Sequence, residues 1–256
     1  MQKGAQVKET YYYMKSCPCR IAVLADFNNG GPELIIASLK RQLPKIIAIP
    51  GDIVNGFPPK NGTVLENFKN ILPLLEACGQ IAPTFISLGN HDRYLHPEDI
   101  KQIEQYGCTV LDNAWIKWGE IIIGGLSSAY ATYYQENRTA YFPSERYPEI
   151  KGNPPQEPRL SWMENYLSTP GYHILLCHHP EYYPLLPPVD LILSGHAHGG
   201  QWNLFGRGVY SSSQGLWPKY YAGIYHDRMV VSRWLTNTHK WIPRFGNPTE
   251  LVYIQP

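Results

Sequence analysis

Five apolar runs, each closed by an oxygen- or imidazole-bearing residue, constrain this chain more than any other feature. IAVLA leads into Asp26-Phe27-Asn28, IIAIP into Gly51-Asp52, and TFISL into Gly89-Asn90-His91-Asp92. HILLC leads into His178-His179-Pro180, and LILS into Gly195-His196-Ala197-His198. Each run is short and rich in Ile, Leu and Val, the pattern of a buried strand. A strand that ends in Asp, Asn or His delivers that side chain to one edge of a sheet. Five deliveries to one edge would gather oxygen and imidazole donors into a metal site.

Between the runs the period changes. Residues 33–42 carry apolar side chains at helical spacing, as do 64–77, where Val64, Leu65, Phe68, Ile71 and Leu75 share one face. A helix is also expected over 97–106, with Pro97 in its first turn, and another over 159–168. Strand–helix alternation predicts an α/β fold with a largely parallel sheet, whose ligands gather beyond the carboxyl ends of the strands. The Tyr-, Pro- and Asn-rich segment 130–158 shows no clear period and reads as a long ordered loop, a candidate substrate cap. Residues 219–254 alternate short β-type runs with turns and predict a second, more antiparallel sheet. With no repeat, low-complexity tract or linker, the simplest organisation is one domain over 1–256 with an N-terminal extension at 1–19.

Charge narrows the function. Lys plus Arg number 22 against 21 Asp plus Glu, so no global field attracts nucleic acid or an anionic membrane. No stretch reaches the roughly 18 consecutive apolar residues that span a bilayer. The N-terminus lacks an apolar core and a small-residue cleavage site, so the expectation is a cytoplasmic protein. The five cysteines, an odd number with no zinc-knuckle spacing, read as reduced thiols and not as a disulfide framework.

The donors divide into two shells. A carboxylate can bridge two ions because its oxygens carry separate lone pairs. One ion can be built from Asp52, Asn90, His178 and His196, and a second from Asp26, the same Asp52 and His198. Two ions about 3.5–4 Å apart lower the pKa of a bridging water and clamp an in-line displacement at phosphorus. His91 has no place in either shell. It is placed to contact a scissile phosphate or protonate a leaving oxygen, with Asp92 expected to hold its other ring nitrogen. Tyr94 and Trp202 lie close enough in sequence to contact a ligand, and His179 lines the pocket or makes a structural hydrogen bond.

The ordered set of an Asp-x-Asn, GD, GNHD, HHP and GHAH resembles the calcineurin-like metallophosphoesterases. The resemblance runs from about residue 20 to the C-terminus, since the residue types match across that span. The continuation SGHAHGGQWNLFGRGVYS, with YYAGIY, VVSRW, IPRFGNP and ELVYI, is similar to the YkuE/YaeI-type branch of bacterial phosphodiesterases. The family implies a four-layer α/β sandwich, two central mixed sheets flanked by helices, and a dinuclear centre at the strand ends. It implies Asp26 and His198 on the first ion, Asp52 between the ions, Asn90, His178 and His196 on the second, and His91 as catalytic histidine. It also implies two divalent ions, manganese first with iron, zinc or magnesium as alternatives, and a small-molecule phosphoester as substrate.

One position departs. The first motif is normally Asp-x-His, and here Asn28 takes the third place. A neutral amide oxygen is a weaker donor than imidazole for first-row transition metals, so the expectation is a complete second site and a weaker first site that includes Asn28. The leading reading is a phosphodiesterase. Two alternatives stay open: a pyrophosphatase of nucleotide- or lipid-linked sugars, and a phosphate-ligand-binding member weakened by Asn28.

Overall fold

A computed structural model describes residues 7–28, 30–55, 63–68, 70–141, 157–211, 213–235 and 244–256. In chain order the first half runs β1 (Lys8–Tyr13), β2 (Ile21–Val23), α1 (Glu33–Gln42), β3 (Ile46–Pro50), α2 (Val64–Asn67), α3 (Ile71–Ile81), β4 (Thr84–Ser87), α4 (Pro97–Gln105) and β5 (Cys108–Val110). The second half runs β6 (Ala114–Trp118), β7 (Ile121–Leu126), α5 (Ala129–Tyr141), α6 (Met163–Ser168), β8 (Tyr172–Cys177), β9 (Leu191–Ser194), β10 (Asn203–Leu204), β11 (Arg207–Gly208), β12 (Tyr210–Ser211), β13 (Gly215–Leu216), β14 (Gly223–Tyr225), β15 (Met229–Val231) and β16 (Glu250–Gln255).

Two six-stranded mixed sheets form the centre, in the orders β1-β16-β2-β3-β4-β5 and β14-β15-β9-β8-β7-β6. Their facing sides interlock through residues such as Ile21, Val23, Ile46 and Ala48 from one sheet and Ile123, Ile174, Leu176 and Leu193 from the other. The opposite side of β3, Ile47 and Ile49, packs under helices with Ile35, Leu39, Leu74 and Leu75. The outer side of the second sheet is covered in part by Met163 and Tyr166 of α6. Both faces of the central strands are therefore buried. That is why their sequences are continuous apolar runs and do not alternate.

Three expectations are corrected. The helix read over 64–77 is two helices, α2 and α3, because Pro73 is tolerated only in a first turn and forces a restart at Ile71. Residues 129–141 of the expected loop 130–158 form α5, with Ala129 and Ala131 buried, while 142–156 lie outside the described residues. The segment 219–254 does not make a sheet of its own. β14 and β15 form an antiparallel pair that joins the second sheet beside β9, whereas β16 crosses to the first sheet between β1 and β2. Within the N-terminal extension, β1 pairs in parallel with β16 as the edge strand of the first sheet.

Strands β2, β3 and β4 are mutually parallel, as are β8 and β9. Their carboxyl ends carry the five polar segments, so the predicted donors emerge at one side of the sandwich.

Candidate metal centre

The backbone bends sharply to bring the donors inward. Asp26, Asn28, Asp52, His196 and His198 all have left-handed φ values, between 48° and 61°. Non-glycine residues seldom adopt this region, and such strain gathers at functional sites. Two glycines allow the close approach. A Cβ on Gly89 would overlap Asp52 Oδ1, and one on Gly195 would overlap Asp26 Oδ2.

Asp52 is wholly buried. Its Oδ1 accepts the backbone N–H of His91 at 2.8 Å, which turns Oδ2 toward His178 Nε2 at 3.1 Å. Apart from this His178 contact Oδ2 has no hydrogen-bond partner, and the buried Oδ1 of Asn90 has none. The other nitrogen of His178, Nδ1, donates to the Pro50 carbonyl at 2.8 Å, so Nε2 is the atom offered to the site. That Nε2 also lies 3.2 Å from His196 Nδ1 and 3.9 Å from Asp26 Oδ1, and His198 Nε2 is 3.7 Å from the same Asp26 oxygen. Asp26 itself accepts the backbone N–H of His196 at 3.1 Å, tying the two sheets' edges together.

Such a convergence of acceptors is held together by a shared proton or by a cation. Burial alone would push Asp52 up and His178 down, yet their attraction wins. Asp52 is held well below the usual carboxylate range by His178 and His91, and His178 is pushed up to about 10 by Asp52 and Asp26. His196 goes the other way: burial and the surrounding imidazoles push it far down, leaving a neutral ring. Buried carboxylate and amide oxygens converging on imidazole nitrogens fit a divalent ion. Asp26, Asp52 and His178 lie close enough to share one, and so do His178, His179 and His196.

His91 stands about one-third exposed at the rim, its Nε2 4.0 Å from Asp52 Oδ2. Burial, with Arg93 and the other histidines, lowers its pKa against the pull of Asp52. Asp92 does not take the expected place beside the imidazole. Its oxygens accept four backbone N–H groups, from Asp52, Ile53, Val54 and Gly89, at 2.7–3.3 Å. A wholly buried carboxylate thus staples the GD turn to the GNHD turn.

Asn28 is also used otherwise than expected. With its amide oriented to satisfy both neighbours, it accepts from Trp234 Nε1 at 2.8 Å and donates to the Val54 carbonyl at 3.2 Å. Trp234 is buried and its ring stacks on His198, centroids 3.8 Å apart. The amide predicted as a metal donor is thus engaged by protein on both of its atoms.

Several contributors were missed. His179, left open between pocket and structural roles, belongs to the imidazole cluster and contacts Ser128 Oγ at 2.8 Å. Glu181 Oε1 sits 3.1 Å from His179 Nδ1 and 3.7 Å from His196 Nε2. His196 can therefore offer Nδ1 inward while its far nitrogen faces a carboxylate, the arrangement that orients metal-binding histidines. Asn247 and Arg244 donate to the His198 carbonyl at 2.7 and 3.1 Å and fix the GHAH turn. Glu181 follows the HHP motif directly and was readable from it; Trp234 and Asn247 lie in the VVSRW and IPRFGNP segments, which carried the resemblance but no role for either residue.

Two facing mixed sheets with this donor cluster at their edges define the metallophosphoesterase class. The chain belongs to the calcineurin-like phosphoesterase family, whose model matches residues 19–200. It is 27% identical over 214 residues to the uncharacterized metallophosphoesterase YkoQ of Bacillus subtilis, covering 81% of this chain and 65% of that protein. An uncharacterized metallophosphoesterase of Helicobacter pylori is 26% identical over 265 residues, covering 98% of this chain and 63% of its own length. One from Campylobacter jejuni is 28% identical over 192 residues, covering 71% of this chain and 44% of the relative. The chain thus spans less than two-thirds of these relatives. Among solved structures, a dimetal phosphatase from Danio rerio aligns with a TM-score of 0.42 at 13% identity, covering 70% of this chain and 82% of that one.

Proposed function

We propose that this chain is a metal-dependent phosphodiesterase of the YkuE/YaeI type, with manganese as its working ion and a small-molecule phosphoester as its substrate. The observation that carries the reading is the convergence of Asp52 Oδ2, which meets only imidazole nitrogens, and the unpartnered Asn90 Oδ1, next to a partly exposed His91. Asp52, Asn90, His178 and His196 would hold one ion, and Asp26, Asp52 and His198 the other. When bound, divalent ions supply an activated water and charge stabilisation at phosphorus.

The chain's own residues do the rest. Among the described residues no arginine or lysine forms an ion pair with Asp26 or Asp52, so their negative charge draws cations to the edge. Glu181 holds the His196 ring in register. His91, kept neutral by its surroundings, offers an N–H to a phosphoryl or leaving-group oxygen, and hydrogen-bond donation suits a neutral ring better than full proton transfer.

Turnover of bis(p-nitrophenyl) phosphate with added Mn²⁺ tests the reading. The expected result is hydrolysis that Asp52→Asn abolishes. Activity no higher than in that variant would instead favour a phosphate-binding role. Faster turnover of nucleotide-sugar pyrophosphates than of any diester would move the assignment to the pyrophosphatase alternative.

A further inference from the structure

Just past the GHAH turn the surface reverses the usual order of apolar and polar sides. β10 and β11 form one antiparallel pair and β12 and β13 another, and Trp217 N–H donates to the Val209 carbonyl to join them. On these short strands the inward positions are polar or small: Asn203, Gly208 and Ser211 are buried. Beside the outward Arg207 and Tyr210, the strands and their flanks expose the large apolar side chains of Trp202, Leu204, Phe205, Leu216 and Trp217, and Phe205 is fully exposed. Phe245 pairs with Trp202 in an isolated bridge and extends the patch.

Contiguous exposed apolar surface of this kind marks a binding face. Three features identify what it binds. At the tip of the first hairpin Phe205 is wholly exposed beside Gly206, where an added Cβ would meet nothing within 4 Å. An aromatic side chain standing wholly clear of the surface suits insertion into a soft layer better than docking against a flat protein surface. The large side chains are mostly aromatic, and Trp and Tyr favour the boundary between hydrocarbon and water. Charge is one-sided as well: Arg207 and Lys219 lie here, and no carboxylate occurs between Asp190 and Asp227. Arg207 stacks over the Trp217 ring at 5.6 Å, so its cation is carried at the apolar surface.

We propose that the two hairpins dock on an anionic phospholipid surface, with Phe205 and Trp217 entering the headgroup boundary and Arg207 and Lys219 meeting lipid phosphates. The near-zero net charge of the whole chain hides this local field. The proposal is independent of the activity, because docking needs neither an ion nor turnover.

Co-sedimentation with phosphatidylcholine/phosphatidylglycerol vesicles, against pure phosphatidylcholine vesicles, tests it. The expected result is strong partitioning onto the anionic vesicles that falls as salt rises. Phe205→Ser together with Trp217→Ser should lower partitioning by roughly tenfold or more, and Arg207→Glu with Lys219→Glu should remove the anionic preference. Phe205→Ser alone guards against misfolding, because a fully exposed side chain contributes little to the fold. Wild-type protein left in the supernatant with both vesicle types would overturn the proposal. So would a dimer in solution that Phe205→Ser converts to monomer, since the patch would then be an interface between two copies.

Discussion

The indole of Trp234 lies nearly parallel to the imidazole of His198, 3.8 Å between centroids and 21° between planes, and donates its N–H to Asn28. The Asn28 amide read as a third donor to the proposed first ion is thus engaged by Trp234 and Val54. The consequence is asymmetry. Wild-type protein dialysed after loading should retain one ion per chain by elemental analysis. Asn28→His alone should change little, because Trp234 still engages the side chain at this position. Asn28→His with Trp234→Ala should restore a second ion, a non-additive result expected for residues in direct contact. Two ions retained by the wild type would sink the idea.

That arrangement also marks the limit of what the sequence reveals. The ligand-bearing segments were legible because each requirement is local: a buried strand needs an apolar run, and a donor must follow it. Trp234 was not legible, because it reaches Asn28 and His198 from the loop after β15, and only the packing of two sheets brings those segments together. β16 misled for a similar reason: its neighbours in sequence lie in the second sheet, while all six of its residues are buried in the first. α5 was hidden by its composition, since tyrosines and polar residues blur a helical stripe.

Asp92 separates two roles by experiment. If it staples the GD and GNHD turns, Asp92→Asn places an amide N–H₂ against backbone donors and should destabilise the fold by about 3 kcal/mol or more. Urea unfolding measures that directly. A variant as stable as wild type but slow in turnover would return Asp92 to the role of His91 orienter.

Glu181 should act through the histidines it faces. Removing a carboxylate that orients a metal-binding histidine typically costs about 10–100-fold in affinity. Glu181→Ala is therefore expected to weaken ion binding by that order, and Glu181→Gln, which still accepts a hydrogen bond, by less. Chelator competition reads the affinity without reference to catalysis. Equal affinity in all three proteins would leave Glu181 as packing only.

The raised His178 makes ion binding depend on pH. In the metal-free protein its pKa is about 10 against an ordinary 6.5, so near neutral pH it carries a proton among the site's acceptors. An ion needs the Nε2 lone pair and must expel that proton, so affinity should rise roughly tenfold per pH unit until the pH approaches 10. Stability of the ion-free protein runs the opposite way. Because the folded-state value is raised, the proton's contribution is fully present below about 6.5 and is lost as pH climbs toward 10. Asp52, held low, contributes in the opposite direction: its share is present above its ordinary value of 3.8 and is lost as acid protonates it. Calorimetric titration of Mn²⁺ in buffers of different ionisation heat should therefore show about one proton released per ion at neutral pH. Thermal unfolding with chelator should fall as pH rises from about 6.5 to 10, while the loaded protein, whose His178 holds no proton to lose, should change less. Heats that do not vary with buffer would show that His178 is already neutral before the ion arrives.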